Sequence, residues 1–169
     1  MSLNRHCEMG SSEMDNRPRY FIPYPVAPIQ ICRYLGFCLG RATELMLEAP
    51  WKGGAEDCRE AQRYLTMTLH FGEQPISACR YRLFQQDYQK LARFMESAGD
   101  NLWEDISSVL YSYFIQLDEY LVRLLPGNIV AMSNEVDDLR RILALRDTTG
   151  QIYDGMSGLP QVEAGNAQD

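Results

Sequence analysis

Apolar residues recur at Leu102, Ile106, Val109, Tyr113, Leu117, Tyr120 and Leu124. The steps of four and three trace one face of a 3.6-residue helix. Pro126-Gly127 then interrupts the chain, because proline cannot donate to the preceding turn and glycine tolerates a left-handed cap. Asn128 can cap a following helix, whose apolar face is Ile129, Met132, Val136, Leu139 and Leu143. So short a connection makes these two helices antiparallel neighbours.

The same reading upstream predicts three more helices. The first runs from about Pro28 to Ala49, with Ile31, Leu35, Cys38, Ala42 and Leu45 on its core face and Pro50 ending it. Gly36 and Gly40 lie one turn apart on another face, a spacing that can mark a close helix–helix approach but that also arises by chance. After the loop Trp51–Gly54, a second helix spans about Ala55 to Phe71. Glu56 and Asp57 favour its start, Cys58, Ala61, Leu65 and Leu69 form its face, and Gly72 ends it. A third opens at Pro75 and reaches about Ser97, with Ile76, Cys79, Leu83 or Phe84, Tyr88, Leu91 and Met95 inward. The fold class expected is therefore all-α, an up-and-down bundle of about five helices. The bundle spans residues 28–146, between an extended arm at 1–27 and a flexible tail at 147–169.

The arm sharpens the question of function. RPRYFIPYPVAP carries Pro18, Pro23, Pro25 and Pro28, which exclude a helix and favour an extended path. Tyr20, Phe21, Ile22 and Tyr24 are too apolar for a simple linker. The arm either packs its rings on the domain's own helices or docks in a groove, a partner's or its own until a partner displaces it.

Composition removes several function classes. The chain has 169 residues and a net charge of −7, which disfavours a nucleic-acid backbone as main partner. No run approaches the ~18 apolar residues of a membrane span, and the first 19 residues lack the apolar core of a secretory signal. Of five cysteines none forms a CxxC pair. Cys32, Cys38, Cys58 and Cys79 fall within helical patterns, as buried thiols of a cytoplasmic protein would.

Candidate chemistry is sparse. The histidines, His6 and His70, have no second His or Cys at ligand spacing, so no metal is expected. LGFCLG is not a phosphate-cradling GxGxxG, and no cofactor is implied. Arg80 to Arg82 and Arg140-Arg141 are small basic clusters; Asp137 pairs with Arg141 at i,i+4. Glu44 and Glu48 lie one turn apart, as do Glu56 and Glu60 on the next helix. Across an antiparallel hairpin these four could hold Mg²⁺ with a phosphate. The arrangement loosely resembles all-helical nucleoside triphosphate pyrophosphohydrolases of the MazG and dUTPase kind. Those carry ExxE and ExxD, whereas the spacing here is ExxxE twice.

Aromatic and sulfur side chains are in excess: ten Tyr, six Phe and eight Met. Tyr81, Trp103, Tyr111 and Phe114 lie off the main apolar stripes. A helix apolar around much of its surface is either central in its bundle or offers a second face to a partner. With Tyr20, Phe21 and Tyr24 of the arm, these residues form the candidate partner-binding set.

The order of motifs resembles the flagellin-binding export chaperones of bacterial flagella, small acidic helical bundles of the cytoplasm. Ala27-Pro28-Ile29-Gln30-Ile31 is similar to the Pro-containing motif before their first helix. Glu60-Ala61-Gln62 leading into Tyr64-Leu65 resembles their KAQ-like stretch. Asn101-Leu102 with Leu110-Tyr111-Ser112-Tyr113 is similar to their NL…LY.Y pattern, and Glu135-Val136 with Leu139 to their last helix. The likeness spans roughly residues 27–146. Leu35-Gly36-Phe37-Cys38 departs from their LYDG-type segment, and residues 75–97 add a helix. The sparse chemistry, the aromatic excess and the extended arm lead to the expectation of a non-enzymatic adaptor that holds an amphipathic segment of a protein partner, which the resemblance would make export-chaperone-like. Charge and hydropathy add no nucleic acid and no membrane. A homodimer is compatible with it. The Mg²⁺-dependent pyrophosphohydrolase is the alternative.

Overall fold

The structure is a computed structural model that describes residues 24–72, 75–97 and 102–149. Of the described residues 82% are helical and none lies in a strand, so the fold is all-α. The helices are α1 (Pro28–Cys32), α2 (Phe37–Glu48), α3 (Ala55–Phe71), α4 (Ala78–Glu96), α5 (Leu102–Arg123) and α6 (Pro126–Thr149). Helix α2 packs on α3, α3 on α6 and α6 on α5, while α1 lies on α2 and α4 sits outside α5. Spatial order thus departs from chain order: α3 neighbours α6 more closely than it does α4.

The expected first helix is two helices. Helix α1 starts with Pro28 at its first position, and Gln30 Oε1 accepts from the Ala27 amide at 2.6 Å. It ends at Cys32, and α2 begins after Gly36, whose backbone is extended. The chain folds back so tightly that a Cβ on Gly40 would lie 3.2 Å from the Cys32 carbonyl oxygen. Gly40 therefore does mark a close approach, between α1 and α2. Periodicity hides this break, because Ile31 before it, Leu35 within it and Leu39 after it are all buried at a spacing a continuous helix also permits.

Other boundaries follow local chemistry. Helix α3 has the expected limits, with Glu56 and Asp57 in its first turn. Gly72 ends it at φ +72°, a conformation that favours glycine. Helix α4 begins three residues later than expected because Ser77, not Pro75, caps it by accepting from the Arg80 amide. At the α5–α6 turn the left-handed residue is Leu124, at φ +51°, rather than Gly127, which lies inside α6. Asn128 is also inside α6. Its Nδ2 donates to Gln116 Oε1 and Glu119 Oε2, both at 3.0 Å, and so ties the start of α6 to α5.

The core centres on α5. Ile106, Leu110, Tyr113, Phe114 and Leu117 are fully buried, which is wider than one stripe and makes α5 the central helix. The Tyr113 hydroxyl meets Thr43 Oγ1 at 3.0 Å, and Thr43 Oγ1 donates to the Leu39 carbonyl. Tyr113 is therefore the donor, and burial raises its pKa well above the ordinary phenol range. Two inward expectations fail, since Leu69 and Cys79 are exposed; of the pair Leu83 or Phe84 it is Phe84 that is buried, and Thr68 and Phe94 are buried as well. Thr68 tolerates burial because its hydroxyl donates to the Tyr64 carbonyl one turn back.

Candidate protein-binding surface

Of the seven residues expected to bind a partner, Tyr20 and Phe21 lie outside the described residues. The structure brings Tyr24 and Trp103 together at one end of the bundle. Tyr24 is buried against Trp51, Phe94 and Trp103, with ring centroids 5.8–6.4 Å away. Its hydroxyl donates to the Leu47 carbonyl at 2.7 Å and accepts from Trp51 Nε1 at 3.0 Å. Val26 is buried as well. The described part of the arm thus packs on the domain's own helices, joining the α2–α3 loop to α4 and α5.

Tyr81 and Phe114 belong to a second group, a ladder of rings between α4 and α5. Tyr81 stacks on Phe84, Phe84 on Tyr88 and Tyr88 on Phe114, with centroids 6.4, 5.9 and 5.5 Å apart. The Tyr81 hydroxyl donates to Asp118 Oδ1 at 2.8 Å and accepts from Gln85 Nε2. Desolvation and the Asp118 carboxylate push the Tyr81 phenol up to about 12. Phe114 is fully buried, and Tyr81 and Tyr111 are half-buried. Tyr24, Trp103 and Phe114 therefore spend their rings on the protein's own packing.

A concave apolar surface lies at the other end, where several segments converge. An open cleft of about 390 Å³ is lined by the α1–α2 turn (Tyr34 to Gly36), Leu39, the stretch before α4 (Pro75 to Ser77), Arg80, Leu121 and Leu124. A smaller one of about 140 Å³ lies between the end of α3 and the α5–α6 turn, and Leu124 lines it too. The two clefts adjoin at Leu124, and together they are called the trough below. Bulky apolar residues flank it in the chain: Phe37 follows Gly36, Phe71 precedes Gly72, and Leu125 sits between Leu124 and Pro126. Phe37 is 79% and Phe71 77% exposed, against an interior that buries every other described phenylalanine. Leu124 holds a left-handed backbone that costs about 1–2 kcal/mol for a non-glycine residue.

Arginines and their carboxylate partners stand at the trough's margin. Arg80 lines it, and its Nη2 donates to the Arg33 carbonyl at 2.6 Å, fastening α4 to the α1–α2 turn. Arg33 and Arg123, beside Tyr34 and Leu124 respectively, are more than half exposed and pair with Asp87 at 3.6 Å and Glu119 at 3.9 Å.

Catalytic geometry is not assembled from the candidate residues. Glu44 is held by Arg41 at 2.9 Å, Glu48 by Lys52 at 3.6 Å and Glu56 by Arg59 at 2.8 Å. Burial, partly opposed by Lys52 and aided by Glu44, raises the Glu48 carboxyl above its ordinary value. Among the described residues no three His, Cys, Asp or Glu side chains are arranged to hold a metal ion. Burial pushes the Cys58 thiol up to about 12 and the Cys32 thiol higher, the opposite of an activated nucleophile. The expected Asp137–Arg141 pair forms at 2.6 Å, and Arg140 joins it. No described helix is long and apolar enough to cross a membrane.

Comparison of the chain with protein-family models, with characterised proteins and with solved structures brings no match.

Proposed function

We propose that this chain is a non-enzymatic, protein-binding helical bundle, an adaptor or export-chaperone-like protein of the cytoplasm, which holds an amphipathic segment of a partner. The observation that carries the reading is the trough at the α3 and α5–α6 end, with exposed Phe37 and Phe71 next in the chain to residues that line it. Large apolar side chains left in water beside a concave apolar surface are the form that helix-in-groove recognition takes. The strained backbone at Leu124 supports it, since such strain concentrates where binding demands it. The motif order between residues 27 and 146 favours the export-chaperone version.

The site differs from the one the aromatic pattern suggested. In this reading the buried Tyr24, Trp103 and Phe114 support the fold, and Leu69 of the trough with the exposed Phe37, Phe71 and Leu125 around it meets the partner. The test is affinity capture from the native cell with the full chain and with a Phe37→Ser/Phe71→Ser variant. Both rings are exposed, so the variant keeps its fold, which circular dichroism verifies. Proteins retained by the parent and lost by the variant support the reading. An identical set from both refutes this location.

A further inference from the structure

Helix α4 is held unevenly along its length. Between Ala78 and Lys90 its one buried side chain is Phe84, whereas Leu91, Phe94 and Met95 are buried within little more than a turn. Phe94 packs on Tyr24 and Trp103, and Ser107 Oγ donates to the Met95 carbonyl at 2.6 Å, so the C-terminal end is pinned to the tyrosine–tryptophan cluster and to α5. The N-terminal part is held by the ladder of Tyr81, Phe84 and Tyr88 on Phe114, and by polar ties at its edges. The Tyr81 hydroxyl donates to Asp118, the Tyr34 hydroxyl to Asp87 at 3.0 Å, and Arg80 to the Arg33 carbonyl. The opposite side, with Arg82, Gln86, Gln89 and Lys90, is exposed. We infer that residues 78–90 open as a unit from the α1–α2 turn and α5, with Leu91–Met95 as the fixed end, and so gate the larger cleft of the trough.

Opening uncovers Phe84 and the face of Phe114 that meets Tyr88. The polar ties return to water, which replaces most of what each hydrogen bond contributes. Global unfolding uncovers the whole core instead, most of it on α2, α3, α5 and α6. The joints of α4 with α1 and α5 are also sparser than those that join α2 to α3, α3 to α6 and α6 to α5. Segments with few buried apolar contacts open at a lower free energy than the molecule as a whole. Arg80, in the first turn of α4, lines the larger cleft together with Ile76 and Ser77 just before the helix, so the opening removes part of that wall. An occupant that needs the closed cleft therefore stabilises closed α4, and closed α4 favours the occupant by the same factor. The opening itself takes place with the trough empty.

The experiment is native-state amide exchange of the full chain, read by NMR at low urea concentrations. Amides of Leu83–Tyr88 should exchange through one shared opening, at least about tenfold faster than those of Leu110–Leu121 and Val136–Leu143. Val136→Ala supplies the control. Val136 is fully buried on α6, which packs on α3 and α5, so its truncation lowers the stability of the molecule as a whole. It should speed the α5 and α6 amides on the order of tenfold and leave Leu83–Tyr88 unchanged. Amides of Leu83–Tyr88 that exchange no faster than those of α5, or that Val136→Ala accelerates equally, overturn the proposal. So do Leu83–Tyr88 amides that exchange at unrelated rates with no common urea dependence. Capture by the parent and its Phe37→Ser/Phe71→Ser variant still tests the trough in each case, so the two readings fail separately.

Discussion

Tyr24 decides whether the arm is scaffold or gate. The residue is only 8% exposed, and a buried tyrosine removes about 150–250 Å² from solvent. At about 25 cal/mol per Å² that burial contributes roughly 4–6 kcal/mol as an upper bound, since the unfolded chain already hides part of it. Tyr24→Ala is therefore expected to cost about 3–5 kcal/mol. Tyr24→Phe keeps the ring and loses only the bonds to the Leu47 carbonyl and from Trp51 Nε1, which predicts about 1–2 kcal/mol. Urea unfolding followed by tryptophan emission measures both. Trp51 and Trp103, the only two tryptophans of the chain, lie 5.3 Å apart beside Tyr24, so the signal reports on this cluster. The order Ala worse than Phe worse than parent, with an unchanged m-value, is the expected result. A Tyr24→Ala loss under about 0.5 kcal/mol, the range of ordinary surface changes, would refute the reasoning and restore the arm as a displaceable gate.

Other predictions follow from single contacts. Leu117→Ala, at a fully buried site on the central helix, should cost about 2–5 kcal/mol by denaturant unfolding, and a surface-like value would mean α5 is turned the wrong way. Gly40→Ala should destabilise by about 1 kcal/mol or more, because the new methyl meets the Cys32 carbonyl; a continuous helix would instead gain about 1 kcal/mol from the same change. The Glu48 carboxyl is raised in the folded state, so the folded protein binds its proton more tightly than the unfolded chain does. Stability from this group is therefore highest at low pH and falls as pH rises through the window just above its ordinary value of 4.5. Glu48→Gln should remove that fall and leave the protein at least as stable at pH 7. A variant clearly less stable than the parent at pH 7 would show the Lys52 pair outweighing burial.

How much of this was legible depended on what each feature is made of. Helix α3 was readable to the residue because acidic residues open it and Gly72 closes it, both local signals. The division of 28–49 into α1 and α2 was not, because the break preserves the apolar rhythm from Ile31 to Leu35. Only Gly36 and Gly40 hinted at it. Gly127 drew the left-handed turn in the sequence reading because glycine tolerates it best, but packing placed that turn on Leu124. Aromatic residues off the main stripes were ambiguous between a central helix and a second face, and for Trp103 and Phe114 the structure takes the first. The trough could not be foreseen at all. Its walls come from residues 34–39, 68–72, 75–80 and 120–129, and only tertiary packing joins them.

Amide hydrogen exchange on the full chain, alone and with a partner captured from the cell, tests the docking surface most directly. The account predicts new protection at residues 34–39, 68–72, 75–80 and 120–129, with the Tyr24–Trp51–Trp103 cluster unchanged. Protection that appears instead around Tyr24, Trp51 and Trp103, and not at the trough, would contradict it.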